Sequence, residues 1–495
     1  MAVQIGTATD YKDLLIKLRD FIMTPNSLGS VVPGGGNTGD GTVTGVAIVS
    51  VGPIATVSAA NADNSFNDSA SGFGSFIAGQ WIKVSGFIND ANNSYFKIAS
   101  VTASKIVVSG GTLVTEVAGP SIFLRGSAAD DAAVSETWTL TCTAGGATGT
   151  FSVVGSVSGA QTDATVGTAY DNSIVAFTIN DGAIDFIIGD SFTFTVTKVM
   201  GIEHWTTKRW NANWDGSNGY EWIVFGPEAG SDKIYVGIRT YFSGTSEYYN
   251  WDLNGFTGYS SIGAWNNGQP GYIPNDTTCR RPQMLLWNSS IPYWFVANGR
   301  RFIVAAKVET VYESCYMGFL LPYGLPNQFS YPLVIGGTCP QNQTGVDLRY
   351  SSQITQHRVF VDPGGYSSGE GTLAILNGTT WLNFGQWSSE ANPINSLNNT
   401  WPFVNTDYDY SSSYYPNDKW KKTQQNIDGS YPVFPIIPFQ GSPVKNAFGE
   451  LQGCFAVPGF GLATEDDVTV SGKTYKIFKN AFRSVSWAYW ALLLE

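Results

Sequence analysis

Charge is scarce in this chain. Asp, Glu, Lys and Arg make up 13% of its 495 residues, about half the usual share, so charged amphipathic helices are not the expected build. Histidine occurs only as His204 and His357, too few for a histidine-rich metal site. The five cysteines (Cys142, Cys279, Cys315, Cys339 and Cys454) are scattered and form no CxxC pair. They read as free thiols of a protein made in a reducing cytosol. No run of 18 apolar residues occurs, so no membrane-spanning helix is expected. The opening MAVQIGTATDYKDLL lacks the basic and apolar regions of a secretory signal. With 27 basic and 39 acidic residues the net charge is −12. That argues against general nucleic-acid binding, which needs a basic face, and against electrostatic docking on anionic membranes.

What is abundant points elsewhere. Hydrophobic residues reach 43%, aromatics 14%, and there are 56 glycines, the composition of many short strands joined by Gly-rich turns. The length corresponds to about three or four domains. One helix is expected near the N-terminus, over residues 9–24, where Tyr11, Leu14, Leu15, Leu18, Phe21 and Ile22 recur every 3–4 residues. Thr9 or Asp10 can cap it. Its apolar face must dock, on its own chain or on a neighbouring subunit.

The stretch SVVPGGGNTGDGT, Ser30 to Thr42, reads as a linker or long turn. Residues 42–126 then show short period-2 strands such as QWIKVSGF and SKIVVSG. Residues 132–199 form a second small β module, with ETWTLTC, TFSVVGSV, SIVAFTI and DSFTFTVTK as alternating strands and an Asp-Gly turn in NDGAIDFIIGD; strands at this spacing imply a sandwich. From residue 200 to 495 tryptophan and tyrosine become dense and apolar strands recur. The expected fold is mainly β: an N-terminal helix (residues 1–30) packing with the C-terminal domain, two small β modules, one an Ig-like sandwich, and a larger aromatic-rich C-terminal β domain.

The module ETWTLTCTAGGATGTFSVVGSVSGAQTDATVGTAYDN…FTINDGAIDFIIGDSFTFTVT resembles a small Ig-like β domain of tailed-bacteriophage structural proteins. The stretch from DNSFNDSASGFG to LVTEVAG resembles another β module of phage tail and virion proteins. The helix DYKDLLIKLRDFI, the segment LWNSSIPYWFVANGRRFIVAAKVETVYESCYMGFLLPYGLPNQFSYPLVIGG and the ending YKIFKNAFRSVSWAYWALLLE are similar to one family of virion structural proteins of myovirus- and siphovirus-type phages. The resemblance implies a structural subunit of the virion, assembled in the bacterial host cytoplasm, in the tail or baseplate. The expected partners are other copies of itself in a symmetric homo-oligomer and neighbouring tail or baseplate proteins, with a host surface glycan as the partner under the host-attachment alternative. The alternatives are a glycan-binding host-attachment tail protein, a polysaccharide depolymerase and a capsid decoration protein.

Candidate chemistry is thin. Gly365-Tyr366-Ser367-Ser368-Gly369 matches GxSxG, but EGTLAILNG after it alternates like a strand, where a nucleophile elbow needs a helix. No histidine follows the serine, since His357 precedes it. It reads as a Gly/Ser turn. Asp181, Asp185 and Asp190 do not have the spacing of a calcium loop, and Asp407, Asp409 and Asp418 read as a polar surface loop. Glu309 and Glu313 read as one strand face, about 13 Å apart, too far for a glycosidase pair. VPGGGNTGDG lacks the Lys-Ser/Thr end of a P-loop. No catalytic, metal or cofactor-binding residue is assigned, and the chain is not expected to be an enzyme.

The densest aromatic stretch holds Trp287, Tyr293, Trp294 and Phe295, followed by Arg300 and Arg301. The continuous apolar runs IPYWFV and FIVAA imply a sheet covered on both faces. The aromatics read first as core, then as packing between subunits, then as a stacking surface for a ligand. These six residues are the interface candidates.

Overall fold

In the computed structural model the described residues are 1–24, 27–28, 30–46, 49–119, 122–127, 134–172, 174–197, 205–216, 218–226, 233–243, 248–276, 279–325, 328–329, 331–340, 349–350, 373–384, 398–402, 424–440, 446–479 and 489–494. The fold is mainly β, with many antiparallel sheets and one helix near the N-terminus. Two compact units divide the chain: residues 1–21 with 212–495, and residues 22–211. Among the described residues no helix is long and apolar enough to cross a membrane.

A strand that the sequence pattern did not announce comes first, β1 (Ala2–Ala8). The helix α1 (Tyr11–Ile22) follows. Asp10 starts it, its carboxylate accepting the backbone N–H groups of Lys12 and Asp13 at 2.7 and 2.8 Å. Asp13 reaches back to the N–H of Thr9 at 2.7 Å and fixes the chain entering the helix, while Asp10 satisfies donors that a helix start leaves open. The apolar stripe of Tyr11, Leu14, Leu15, Leu18, Phe21 and Ile22 is buried throughout.

Within the first unit, β1 is the end strand of a seven-stranded antiparallel sheet that continues through Ile291–Ala297, Arg301–Val308, Val311–Phe319, Leu333–Gly336, Leu373–Asn377 and Thr380–Phe384. One face packs on a five-stranded sheet containing Cys454–Val457, Tyr489–Leu493 and Lys473–Lys479. There Trp294, Val296, Ile303 and Tyr316 meet Phe478, Trp490 and Leu492. The other face carries α1, through Phe21 on Phe295 (5.7 Å between ring centroids), and a further sheet built on Glu221–Gly226, Ile234–Ser243 and Tyr248–Phe256, through Trp222 against Phe302. Trp251 Nε1 donates to the Tyr11 carbonyl at 2.8 Å and ties that sheet to the helix. Cover on both faces is why RFIVAAKV is apolar almost without a break.

The second unit holds two β modules, each with its own core. In one, Val49–Ile54, Ile122–Ser127, Trp81–Ser85, Tyr95–Thr102, Lys105–Ser109, Ser65–Asp68 and Val57–Ala60 make a seven-stranded sheet around Phe66, Phe87, Ile82 and Leu124. The other is β-sandwich-like. Glu136–Ala144 pairs with Thr150–Gly155 and Ser191–Thr197, opposite a small sheet of Ala169–Asp171 and Ala176–Asn180, over Trp138, Phe151, Phe177 and Phe194.

The stretch expected as a linker, Ser30 to Thr42, belongs to this sandwich. Val32–Pro33 pairs with Ser191–Thr197, and Thr42–Thr44 pairs with Ala176–Asn180. The first module is therefore nested between strands of the second. The glycines serve close approach here: a Cβ on Gly39 would stand 2.5 Å from the Phe186 ring, and one on Gly41 2.2 Å from it. Likewise NDGAIDFIIGD is not a tight Asp-Gly hairpin but a ten-residue connection, residues 181–190, that drops Phe186 into the core. All five cysteines are free and buried.

Candidate functional site

The aromatic stretch lies on the strand Ile291–Ala297, and strand periodicity sends its neighbours to opposite faces. Tyr293 and Phe295 point toward α1 and stack at 4.1 Å with 17° between planes. Gln4 donates to the Tyr293 hydroxyl at 3.0 Å. Trp294 points the other way and meets Phe478 edge-on at 5.0 Å. All three are buried. Trp287 is half-buried, its ring against Tyr350 and its Nε1 donating to the Ser290 carbonyl at 3.2 Å.

The two arginines part company. Arg300 is half-buried in the turn before the next strand, its guanidinium 5.9 Å from the Phe319 ring. Arg301 is fully buried. Its Nη2 contacts Met1 Sδ at 3.2 Å, while Nε and Nη1 meet no hydrogen-bond acceptor among the described residues. Burial pushes its guanidinium pKa down, with Tyr316 and Cys454 opposing that shift. Tyr293, Trp294, Phe295 and Arg301 thus fill the interior of their own unit, and Trp287 and Arg300 stand at its surface.

The other residues singled out for chemistry separate as well. Ser367 with its glycines, His204, His357, Asp407, Asp409 and Asp418 lie outside the described residues. Glu309 and Glu313 do not share a strand face. Glu309 sits in the two-residue turn between Arg301–Val308 and Val311–Phe319 with φ 56°, and Glu313 is fully buried. A register in which Val308 faces Val311 leaves only positions 309 and 310 for the turn. Asp181 and Asp185 are exposed. Asp190 is buried and accepts the backbone N–H groups of Thr38, Gly39 and Ile187 at 2.8, 2.9 and 3.0 Å. Burial disfavours its charge, but these donors outweigh burial and hold the carboxyl below the usual range. It is a loop clasp. Among the described residues no group of three or more His, Cys, Asp or Glu is placed to hold a metal ion.

Pattern reading missed a polar row across the sheet built on Glu221–Gly226. Glu221 faces Arg239, Arg239 faces Asp252, and Asp252 faces Gln283 on successive strands. Arg239 Nε donates to Glu221 at 2.8 Å, and the Gln283 side-chain amide donates to Asp252. The Arg239 guanidinium lies 4.2 Å from the Trp214 ring and 4.9 Å from that of Trp265. Burial raises the Asp252 pKa, and Arg281, Gln283 and Arg239 counter it. The row locks register, because a one-residue slip would strand every charge. The four residues lie far apart in sequence, so no local motif marks them.

Apolar side chains reach the surface at several places among the described residues, and two of these places form short clusters on one element. One is the loop carrying Ile184, Ile187 and Ile188, all at least half exposed. The other is β1, where Val3 and Ile5 are 36% and 55% exposed. No protein-family model matches this chain, and no curated protein matches it significantly in sequence.

Proposed function

We propose that this chain is a structural subunit of a bacteriophage particle, placed in the tail or baseplate, that assembles with copies of itself into a symmetric oligomer. The observation that carries the reading is the β-sandwich-like module over Trp138, Phe151 and Phe194, formed by the residues whose sequence resembles the Ig-like domain of phage structural proteins. Two β modules with separate cores, one inserted between strands of the other, supply loop-bearing surfaces. Symmetry then multiplies modest contacts into a stable particle. Mass spectrometry of gradient-purified particles, with gold labelling of a tagged chain, tests this. The chain's absence from infectious particles would overturn the reading.

A glycan-binding host-attachment role is the second reading. It is favoured by Phe242, 41% exposed, stacked on Tyr249 at 5.2 Å near the end of the hairpin Ile234–Ser243 and Tyr248–Phe256. Aromatic faces at a surface suit sugar rings. Glycan-array binding that is lost in Phe242→Ala would support it; an array without hits would remove it.

A further inference from the structure

Resting on the self-assembly part of this reading, we propose that β1 is the edge along which two copies of the chain pair. The β1 strand of one copy lies antiparallel to β1 of a second, about a two-fold axis at Ile5, and the two seven-stranded sheets become continuous.

The edge is open. β1 pairs with Ile291–Ala297 from Ala2 opposite Ala297 to Ala8 opposite Ile291. Among the described residues no strand and no backbone hydrogen bond lies on its other side. Alternate residues of an antiparallel strand turn their N–H and C=O groups away from the paired neighbour, so β1 presents a row of donors and acceptors. Such edges are ordinarily blunted by lysine, proline, bulges or shortness. β1 has seven residues, no charge, no proline and an unbroken register.

The side chains say which face must be covered. Val3 lies opposite Val296 and Ile5 opposite Trp294, residues that are 0% and 5% exposed in the core between the two sheets. Exposure rises to 36% and 55% one strand further out. Among the described residues the apolar face of the sheet outruns its cover at β1, and a continued sheet extends that face.

The order of residues commits the edge to a second copy. AVQIGTA is partly symmetric about Ile5: Ala2 matches Ala8 and Val3 matches Thr7 in size, while Gln4 and Gly6 are of complementary size. Turned about a two-fold axis there, Ala2 faces Ala8, Val3 faces Thr7, Gln4 faces Gly6, and Ile5 faces itself. β-branched residues oppose β-branched ones, the long glutamine meets a glycine, and no like charges face each other. The register holds whether the Ile5 backbone groups point outward or inward, because antiparallel pairs alternate between both geometries. An isologous contact of this kind closes after two copies, so each edge is capped and does not propagate a fibre.

The test uses the full chain. Ile5→Cys places two thiols directly opposite, with Cα atoms about 4.5–5.5 Å apart, within disulfide reach of about 4.4–6.8 Å; the native cysteines are all buried. Under mild oxidation Ile5→Cys is expected to give a covalent dimer on a non-reducing gel. Val3→Cys alone, opposite Thr7, is expected to give little, and an equal mixture of Val3→Cys and Thr7→Cys chains to link. Ile5→Lys, which sets two like charges opposite, is expected to weaken self-association in light scattering at least tenfold while the chain still melts cooperatively, at the temperature of dilute wild-type chain. Wild-type chain that self-associates while Ile5→Cys fails to link and Ile5→Lys associates normally overturns the β1 edge and leaves the virion reading standing. Wild-type chain that is monomeric at every concentration overturns the edge and self-assembly together. Absence from purified particles bears on the virion reading alone.

Discussion

Tyr293 stacks on Phe295 at 4.1 Å, and Trp294, between them in the chain, meets Phe478 on the opposite face of the same sheet. Three consecutive aromatics therefore serve two different cores. Trp294→Ala is expected to cost about 3–5 kcal/mol of unfolding free energy, as for other large-to-small core changes. Trp287→Ala, at a half-buried ring, is expected to cost clearly less. Equilibrium denaturation of the two variants checks this; equal losses would contradict the burial difference.

The glycines of the Ser30–Thr42 stretch separate by position. Gly41→Ala puts a Cβ 2.2 Å from the Phe186 ring and 2.4 Å from the Asn180 carbonyl, and overpacking of this kind costs about 1–3 kcal/mol. A Cβ added at Gly35 would meet nothing within 4 Å, and the backbone there has no positive φ. Gly35→Ala is expected to be neutral or to stabilise by up to about 1 kcal/mol through the unfolded chain. Thermal melts of both variants check this; a true linker would show the same neutral result at both sites.

Arg301 carries a fully buried guanidinium whose Nε and Nη1 meet no acceptor among the described residues. Desolvating a charge is costly, and even whole buried ion pairs are often replaced by well-packed apolar side chains at no loss or with a gain of about 1–4 kcal/mol. Arg301→Met is expected to leave the melting temperature unchanged or raise it. A large drop would mean that the guanidinium has an essential partner.

Asp190 and Asp68 set an acid limit on the second unit. Asp68 is held low as Asp190 is: burial opposes its charge, and the Thr56 hydroxyl with the Ala70 and Gly72 N–H groups outweighs burial. Each folded pKa lies below its unfolded value near about 4. Their stabilisation is therefore complete above that value and lost as pH falls through the folded pKa. Thermal melts are expected to drop below about pH 4. Asp190→Ala is expected to be less stable at pH 7 and to lose less on acidification. An unchanged acid slope would refute the clasp.

Residues close together in the chain carried a good part of the fold. Leu14, Leu18 and Phe21 mark α1 because helical spacing alone puts them on one stripe, and Asp10 caps it with groups two and three residues away. Glu136–Ala144 and Ser191–Thr197 alternate because one face of each is buried, which is visible at period 2. The mainly β character follows from many such segments.

What only tertiary structure decided lies between distant residues. β1 has no announcing pattern, since its pairing with Ile291–Ala297 is set some 290 positions away. Gly39 and Gly41 look like flexible linker until Phe186 is placed against them. The Glu221–Arg239–Asp252–Gln283 row exists only once four strands are in register. Side-chain chemistry and local spacing determine which segments become strands or a helix. Which strands become neighbours, and which apolar residues meet in one core, depends on long-range packing that no local window contains.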